Sequence, residues 1–174
     1  WSPGKTVSMI SPDKAMSMTG GKIMSATEPS PETAECRLSA SLALLRISLG
    51  LFLLVWAVMK FVLPKGTINI FKKFYGLNID VDLSLWIGIA QCVLAVAIIV
   101  GFARFWSYGA GLLVHAVSSL SSWKEVLDPW GMYLNTQPKM LFWAGVPVLA
   151  AFVLLWLVRE RDLWSLDHWL GRST

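Results

Sequence analysis

Apolar residues are concentrated in four long runs, which cover residues 42–63, 83–102, 105–122 and 140–158. Each run is close to the ~20 residues that a helix needs to cross a hydrocarbon layer of ~30 Å. A helix on the surface of a soluble domain needs a polar face, and the first run lacks one. The pattern therefore predicts an all-α integral membrane protein, in which residues 39–174 form a bundle of four transmembrane helices.

The segments outside these runs are polar or amphipathic. Residues 1–38 are rich in Ser, Pro, Gly, Thr and Lys and contain no apolar run, so we expect an extended N-terminal arm. An arm without a core needs a surface on which to become ordered, and we infer that it contacts a partner membrane subunit. Residues 64–82 and 159–174 mix aromatic and charged positions, which is typical of segments that lie in the headgroup layer.

Composition agrees with a membrane protein and argues against a nucleic-acid-binding one. Of the 174 residues, 55% are hydrophobic and 15% are charged, and the mean hydropathy is +0.58. Soluble domains usually carry about 25% charged residues. Ten tryptophans suit membrane interfaces. The net charge of +4 is spread along the chain rather than gathered in a basic patch, so nucleic acid is not an expected partner.

Two cations lie on one stripe of the first predicted helix. Arg46 and Lys60 share this stripe with Gly50, Leu53 and Ala57, at spacings of three and four residues. Small residues let helices approach closely, so the stripe is expected to face other helices or a water-filled cavity. In the alternative interpretation, both cations extend from the ends of the span to the headgroups, which suits Lys60 better than Arg46.

The third run has a polar face that includes His115, Ser118 and Ser119. Counted along the helix, His115 lies near the middle of the membrane, and Gln91 of the second run lies at a comparable depth. An imidazole and a carboxamide are costly at this depth unless they are paired. Either these side chains hydrogen-bond to one another and hold the helices together, or they donate to the carbonyl oxygens of a quinone headgroup.

No haem or metal site is predicted from the sequence. A haem with two histidine ligands would need a second histidine at membrane depth, whereas His168 lies in the tail. No acidic residue falls within any of the four runs, and the four methionines of the arm are irregularly spaced for copper. Motifs for nucleophilic or acid–base catalysis and for phosphate binding are also missing, so enzymatic activity is left open.

Residues 42–167 resemble the DoxX-like family of small four-helix bacterial membrane proteins. The resemblance rests on LLRISLGLFLLVWAVMKF in the first run, the GFAR turn after the second, a polar residue midway along the third, and RERDLWSLD after the fourth. It implies a role in quinone-linked electron transfer, since the family includes the membrane subunit of a thiosulfate:quinone oxidoreductase. Arg46 and Lys60 match recurrent family positions, which makes them candidate contacts of a quinone or lipid headgroup.

These observations predict an integral membrane subunit of a larger quinone-linked oxidoreductase complex, without a redox cofactor of its own. The alternative is a non-catalytic accessory subunit that stabilises a respiratory, photosynthetic or oxygenase membrane complex. The expected partners are other membrane subunits and lipids. The resemblance implies the bacterial inner membrane with both termini cytoplasmic. The candidate contacts of a quinone or lipid headgroup are Arg46, Lys60, Gln91, His115, Ser118 and Ser119.

Overall fold

A computed structural model describes residues 30–133 and 137–171, and the secondary structure of this part of the chain is entirely helical. A π-helical turn (Phe71–Tyr75) continues the second helix, and 3-10 turns (Met140–Ala144 and Arg159–Arg161) precede and follow the sixth. The helices in chain order are α1 (Pro31–Val62), α2 (Pro64–Ile70), α3 (Val81–Val100), α4 (Arg104–Ser121), α5 (Trp123–Leu127), α6 (Gly145–Leu157) and α7 (Leu166–Trp169).

Three stretches of helix are long and apolar enough to cross a membrane, namely Pro31–Val62, Val81–Val100 and Met140–Leu157. They indicate a membrane protein, as the sequence predicts. The run 105–122 forms α4 close to its predicted bounds, yet it is not among these stretches. Arg104, His115 and several serines lower its hydropathy. A fourth transmembrane helix therefore stays a prediction.

Helix α1 begins earlier than the sequence predicts. Its first residue is Pro31, so residues 31–38 are helical and do not belong to an extended arm. Proline suits the first turn because an N–H in that turn has no partner within the helix, and Glu32 interacts favourably with the positive end of the helix dipole. The rest of the predicted arm, residues 1–29, lies outside the described residues.

The four long helices pack around a common interior. Helix α1 packs along α3 and also contacts α6, and α4 packs against α3 and α6, so the ring of helices is closed. The predicted stripe of α1 is confirmed as its inner face, because all five of its residues are buried: Arg46, Gly50, Leu53, Ala57 and Lys60. The buried core of the bundle consists of Leu49, Leu53, Ala95, Ile98, Tyr108, Phe152 and Leu155.

Gly50 sets the separation of α1 and α3. A β-carbon at this position would overlap with Cγ1 of Ile99 and lie 3.0 Å from the carbonyl oxygen of Ala95, which is part of the backbone and cannot rotate away. We expect Gly50→Val to lower the free energy of unfolding by about 1–3 kcal/mol, measured by denaturant unfolding of the purified protein.

Gly66→Val is the matched control for this substitution. A β-carbon at Gly66 would have its nearest neighbours at 3.7 and 3.9 Å, so the side chain fits without displacing the backbone. Equal destabilisation by the two substitutions would contradict the close approach of α1 and α3 at Gly50.

The connections gather the polar side chains at two ends of the bundle. The end that holds Arg46, Arg104 and Asp162 is called the arginine end, and the end formed by α2, α5 and the start of α6 is called the cavity end.

At the arginine end the chain turns sharply from α3 into α4. Gly101 stops α3 in a left-handed conformation with φ of 70°, which only glycine adopts without strain.

Candidate functional site

A cavity of about 390 Å³ lies at the cavity end of the bundle. Its volume falls in the range of small-molecule binding sites, about 300–1,000 Å³. Side chains from α1, α2, α3, α4 and α6 line it, together with the helical turns that adjoin α2 and α6. Five of the six candidate residues from the sequence contribute to this lining, namely Lys60, Gln91, His115, Ser118 and Ser119.

Lys60 makes two hydrogen bonds, one to Gln91 of α3 and one to the backbone of its own helix. Its Nζ donates to Oε1 of Gln91 at 2.6 Å and to the carbonyl oxygen of Trp56 at 3.0 Å. Nε2 of Gln91 points to the carbonyl oxygen of Leu53 at 3.4 Å, which orients the amide with its oxygen toward the ammonium. Only 8% of Lys60 is exposed. The interpretation that Lys60 extends to the headgroups is therefore wrong: its ammonium lies inside the bundle.

His115 is fixed by one hydrogen bond and two aromatic neighbours. Its Nε2 lies 3.0 Å from the carbonyl oxygen of Gly145, and a carbonyl can only accept, so Nε2 carries a hydrogen. The ring packs against Phe52 and Phe152, with centroid distances of 5.5 and 5.7 Å. The predicted hydrogen bonding between His115 and Gln91 is wrong, because His115 bonds to α6 and Gln91 bonds to Lys60 of α1. The two residues nevertheless line the same cavity.

The C-terminal end of α4 adds hydroxyl groups next to His115, and this part of the lining, made of His115, Ser118, Ser119 and Ser122, is called the polar wall. Ser122 donates to the carbonyl oxygens of Ser118 and Ser119 at 3.1 and 3.3 Å. Facing this wall is Gly145, where a β-carbon would lie 3.5 Å from Oγ of Ser119 and 3.9 Å from Nε2 of His115. The absence of a side chain at Gly145 leaves space in front of both groups.

Another part of the cavity lining is largely aromatic. Residues 64–82, predicted to form an interfacial segment, contain α2 and the π-helical turn, and their inner side supplies Thr67, Ile70, Phe71, Phe74 and Tyr75. The ring of Phe74 lies 5.6 Å from that of Phe142, next to the start of α6. Short π-helical turns are frequent at functional sites. The lining thus combines polar groups with aromatic rings, a combination that suits a flat amphipathic ligand.

Arg46, the sixth candidate, is not part of the cavity. It lies at the arginine end, where Nη1 forms an ion pair with Oδ2 of Asp162 at 3.0 Å and Nη2 donates to the carbonyl oxygen of Trp164 at 2.7 Å. Only 6% of Arg46 is exposed. Its predicted contact with a quinone or lipid headgroup therefore does not lie in this cavity and stays a prediction, since in the structure its counter-ion is a carboxylate of the same chain.

The ion pair belongs to a buried network that fastens the C-terminal tail to the bundle. The hydroxyl of Tyr108 donates to the same oxygen of Asp162 at 2.7 Å. The carboxylate of Asp167 accepts from the backbone N–H groups of Ala103 and Arg104, at 3.0 and 2.8 Å, where α4 begins. Both aspartates are fully buried.

The tail is therefore more than the interfacial segment that the sequence predicts. Trp164 and Trp169 are exposed, as an interfacial segment requires, but the aspartates between and before them point into the bundle. The signal that could have identified them is the RERDLWSLD segment, which places two aspartates directly after the last apolar run. An arginine inside an apolar helix requires a partner of opposite charge.

Metal ligands are not gathered in the described part of the chain: no group of three or more His, Cys, Asp or Glu side chains there could hold an ion.

Comparisons of the chain with protein-family models, with characterised proteins and with solved structures find no match. Membership of the DoxX-like family therefore stays a prediction that rests on the residues quoted above.

Proposed function

We propose that this chain is an integral membrane subunit of a quinone-linked electron-transfer complex, and that its cavity binds the quinone headgroup. The observation that carries the proposal is the composition of the cavity wall. An ammonium, an imidazole and serine hydroxyls line the cavity together with several aromatic rings. A quinone headgroup is a flat ring with two carbonyl oxygens that accept hydrogen bonds, so it matches both kinds of lining group.

Hydrogen-bond donors for the two carbonyl oxygens come from different helices. Lys60 of α1 has three N–H bonds, of which two meet Gln91 and Trp56, so the third can donate to a ligand. On α4, Ser118 and Ser119 carry hydroxyls that can donate. Donors on two different helices that line one cavity can hold a flat ring at both of its oxygens.

The chain would bind and orient the quinone, and a partner subunit would supply the electrons. The resemblance to the DoxX-like family supports this division of roles. We also propose that α4 is the fourth transmembrane helix, that both termini face the cytoplasm, and that the complex lies in a bacterial inner membrane. The polar side of α4 is turned to the cavity, which explains its lower hydropathy without removing it from the membrane.

His115→Phe is expected to weaken quinone binding about tenfold, which corresponds to ~1.4 kcal/mol. Phenylalanine keeps an aromatic ring between Phe52 and Phe152 but removes both ring nitrogens. The measurement is equilibrium dialysis of a short-chain quinone against the purified protein in lipid nanodiscs. His168→Phe is the matched control, because His168 is exposed in the tail and lies outside the cavity lining.

The accessory-subunit alternative makes a different prediction for the same experiment. If neither the unaltered chain nor the His168 variant binds quinone, the cavity is not a quinone site and the accessory role is favoured. If the unaltered chain binds but His115→Phe leaves the affinity unchanged, the quinone does not contact this polar wall and the proposed site is wrong.

A further inference from the structure

The side chains that line the cavity include a lysine but no carboxylate. Its lining contains one lysine, one histidine and four serines, whereas none of its 23 lining residues is an aspartate or glutamate. Lys60 is thus the one lysine or arginine among these lining residues, and no carboxylate of the lining stands beside its ammonium. Among the described residues, its hydrogen-bond partners are a neutral amide and a backbone carbonyl.

The other cation of the same helix stripe provides an internal comparison. Arg46 has a carboxylate of the same chain at 3.0 Å, in an environment as buried as that of Lys60. Charges in a low-dielectric interior are stable when they are paired with an opposite charge, and neutral acceptors compensate them only in part. Lys60, unlike Arg46, faces a cavity with room for a ligand. A negatively charged oxygen on the ligand would give the ammonium of Lys60 a partner of opposite charge.

We propose that Lys60 makes the cavity selective for quinones that carry a negatively charged ring oxygen, such as an ionised hydroxyquinone. This inference rests on the proposed function and names the class of quinone that the site prefers. The ring hydroxylate accepts the third N–H of Lys60 and forms an ion pair with it, while Gln91 holds the ammonium in place from the other side. The polar wall on α4 remains available to a carbonyl oxygen of the same ring.

Two ligands that share a ring and a prenyl tail but differ in charge test the proposal. One is a prenylated hydroxynaphthoquinone, which is ionised at neutral pH, and the other is its methyl ether, which keeps the ring and the tail but has no charge. We expect the unaltered protein in nanodiscs of neutral lipid to bind the ionised compound at least about tenfold more tightly than the ether. Equal affinity for the two compounds would overturn the proposal without using any variant.

Substitutions of Lys60 test whether this residue causes the preference for the ionised compound. Lys60→Met keeps the length of the side chain and is expected to reduce the ratio of the two affinities to about one, whereas Lys60→Arg keeps the charge and the preference. Lys65→Met is the matched control, since Lys65 is exposed and outside the cavity lining. Binding of the ether to Lys60→Met also verifies that the cavity of this variant is folded.

The outcomes separate this inference from the proposed function. If both compounds bind equally, the cavity is a quinone site without selectivity for charge, and only the inference fails. If neither compound binds to the unaltered protein, the proposed function fails together with the inference. Retention of the preference in Lys60→Met would mean that another group recognises the charge, which also overturns the inference.

Discussion

Asp162→Ala is expected to lower the free energy of unfolding by about 3–5 kcal/mol, the usual cost of removing one partner of a buried ion pair. The substitution leaves the guanidinium of Arg46 buried without its carboxylate, and it removes the acceptor of the Tyr108 hydroxyl. It also removes the ion pair between the tail and α1, although Asp167 still accepts from the backbone at the start of α4. Denaturant unfolding of the purified protein, followed by circular dichroism, measures the effect.

Glu160→Ala is the control for this prediction. Glu160 lies two residues earlier, and its side chain is 75% exposed, so its removal is expected to change the stability by less than about 0.5 kcal/mol. The double variant Arg46→Met with Asp162→Leu removes both charges and should be more stable than Asp162→Ala alone. A small effect of Asp162→Ala, equal to that of Glu160→Ala, would contradict the role of the ion pair in holding the tail.

Gly145→Leu is expected to abolish quinone binding, with at least a hundredfold loss of affinity, or about 2.7 kcal/mol. A β-carbon at this position already reaches van der Waals contact with Oγ of Ser119, and the rest of a leucine side chain would occupy the space in front of the polar wall. Equilibrium dialysis of a short-chain quinone measures the loss.

Two further variants separate occlusion of the cavity from misfolding. Val146→Phe adds bulk at the neighbouring position, which is exposed and outside the cavity lining, and should leave binding intact. Ser119→Leu fills the same space from α4 and should abolish binding as Gly145→Leu does. Full binding by both leucine variants, with unfolding midpoints near that of the unaltered protein, would contradict the location of the site.

The sequence predicts those features that depend on the period and length of a helix. The stripe on α1 follows from spacings of three and four residues, and its burial is confirmed. The same reasoning placed Gln91 and His115 at comparable positions along neighbouring helices, and both line one cavity. These positions are fixed by local geometry, because each residue rotates the helix by a constant angle.

The pairs of side chains that form ion pairs and hydrogen bonds could not be predicted in the same way. Arg46 pairs with Asp162, which lies 116 residues later in the chain, and no local pattern relates these two positions. Gln91 bonds to Lys60 rather than to His115, because the orientation of each helix about its axis is set by packing across the bundle. Neither the length of a helix nor the depth of a residue along it predicts how the helix is rotated about its axis. The contribution of α2 to the cavity wall also depends on how the loop folds back over the bundle.

The measurement that tests the central claim most directly is photoaffinity labelling with an azido-quinone, followed by peptide mapping. Binding in the cavity predicts labelled peptides from residues 52–60 of α1 and 114–122 of α4, with labelling suppressed by excess unmodified quinone. Labelling confined to the lipid-exposed side chains of α3 or α6, and insensitive to excess quinone, would contradict quinone binding in this cavity.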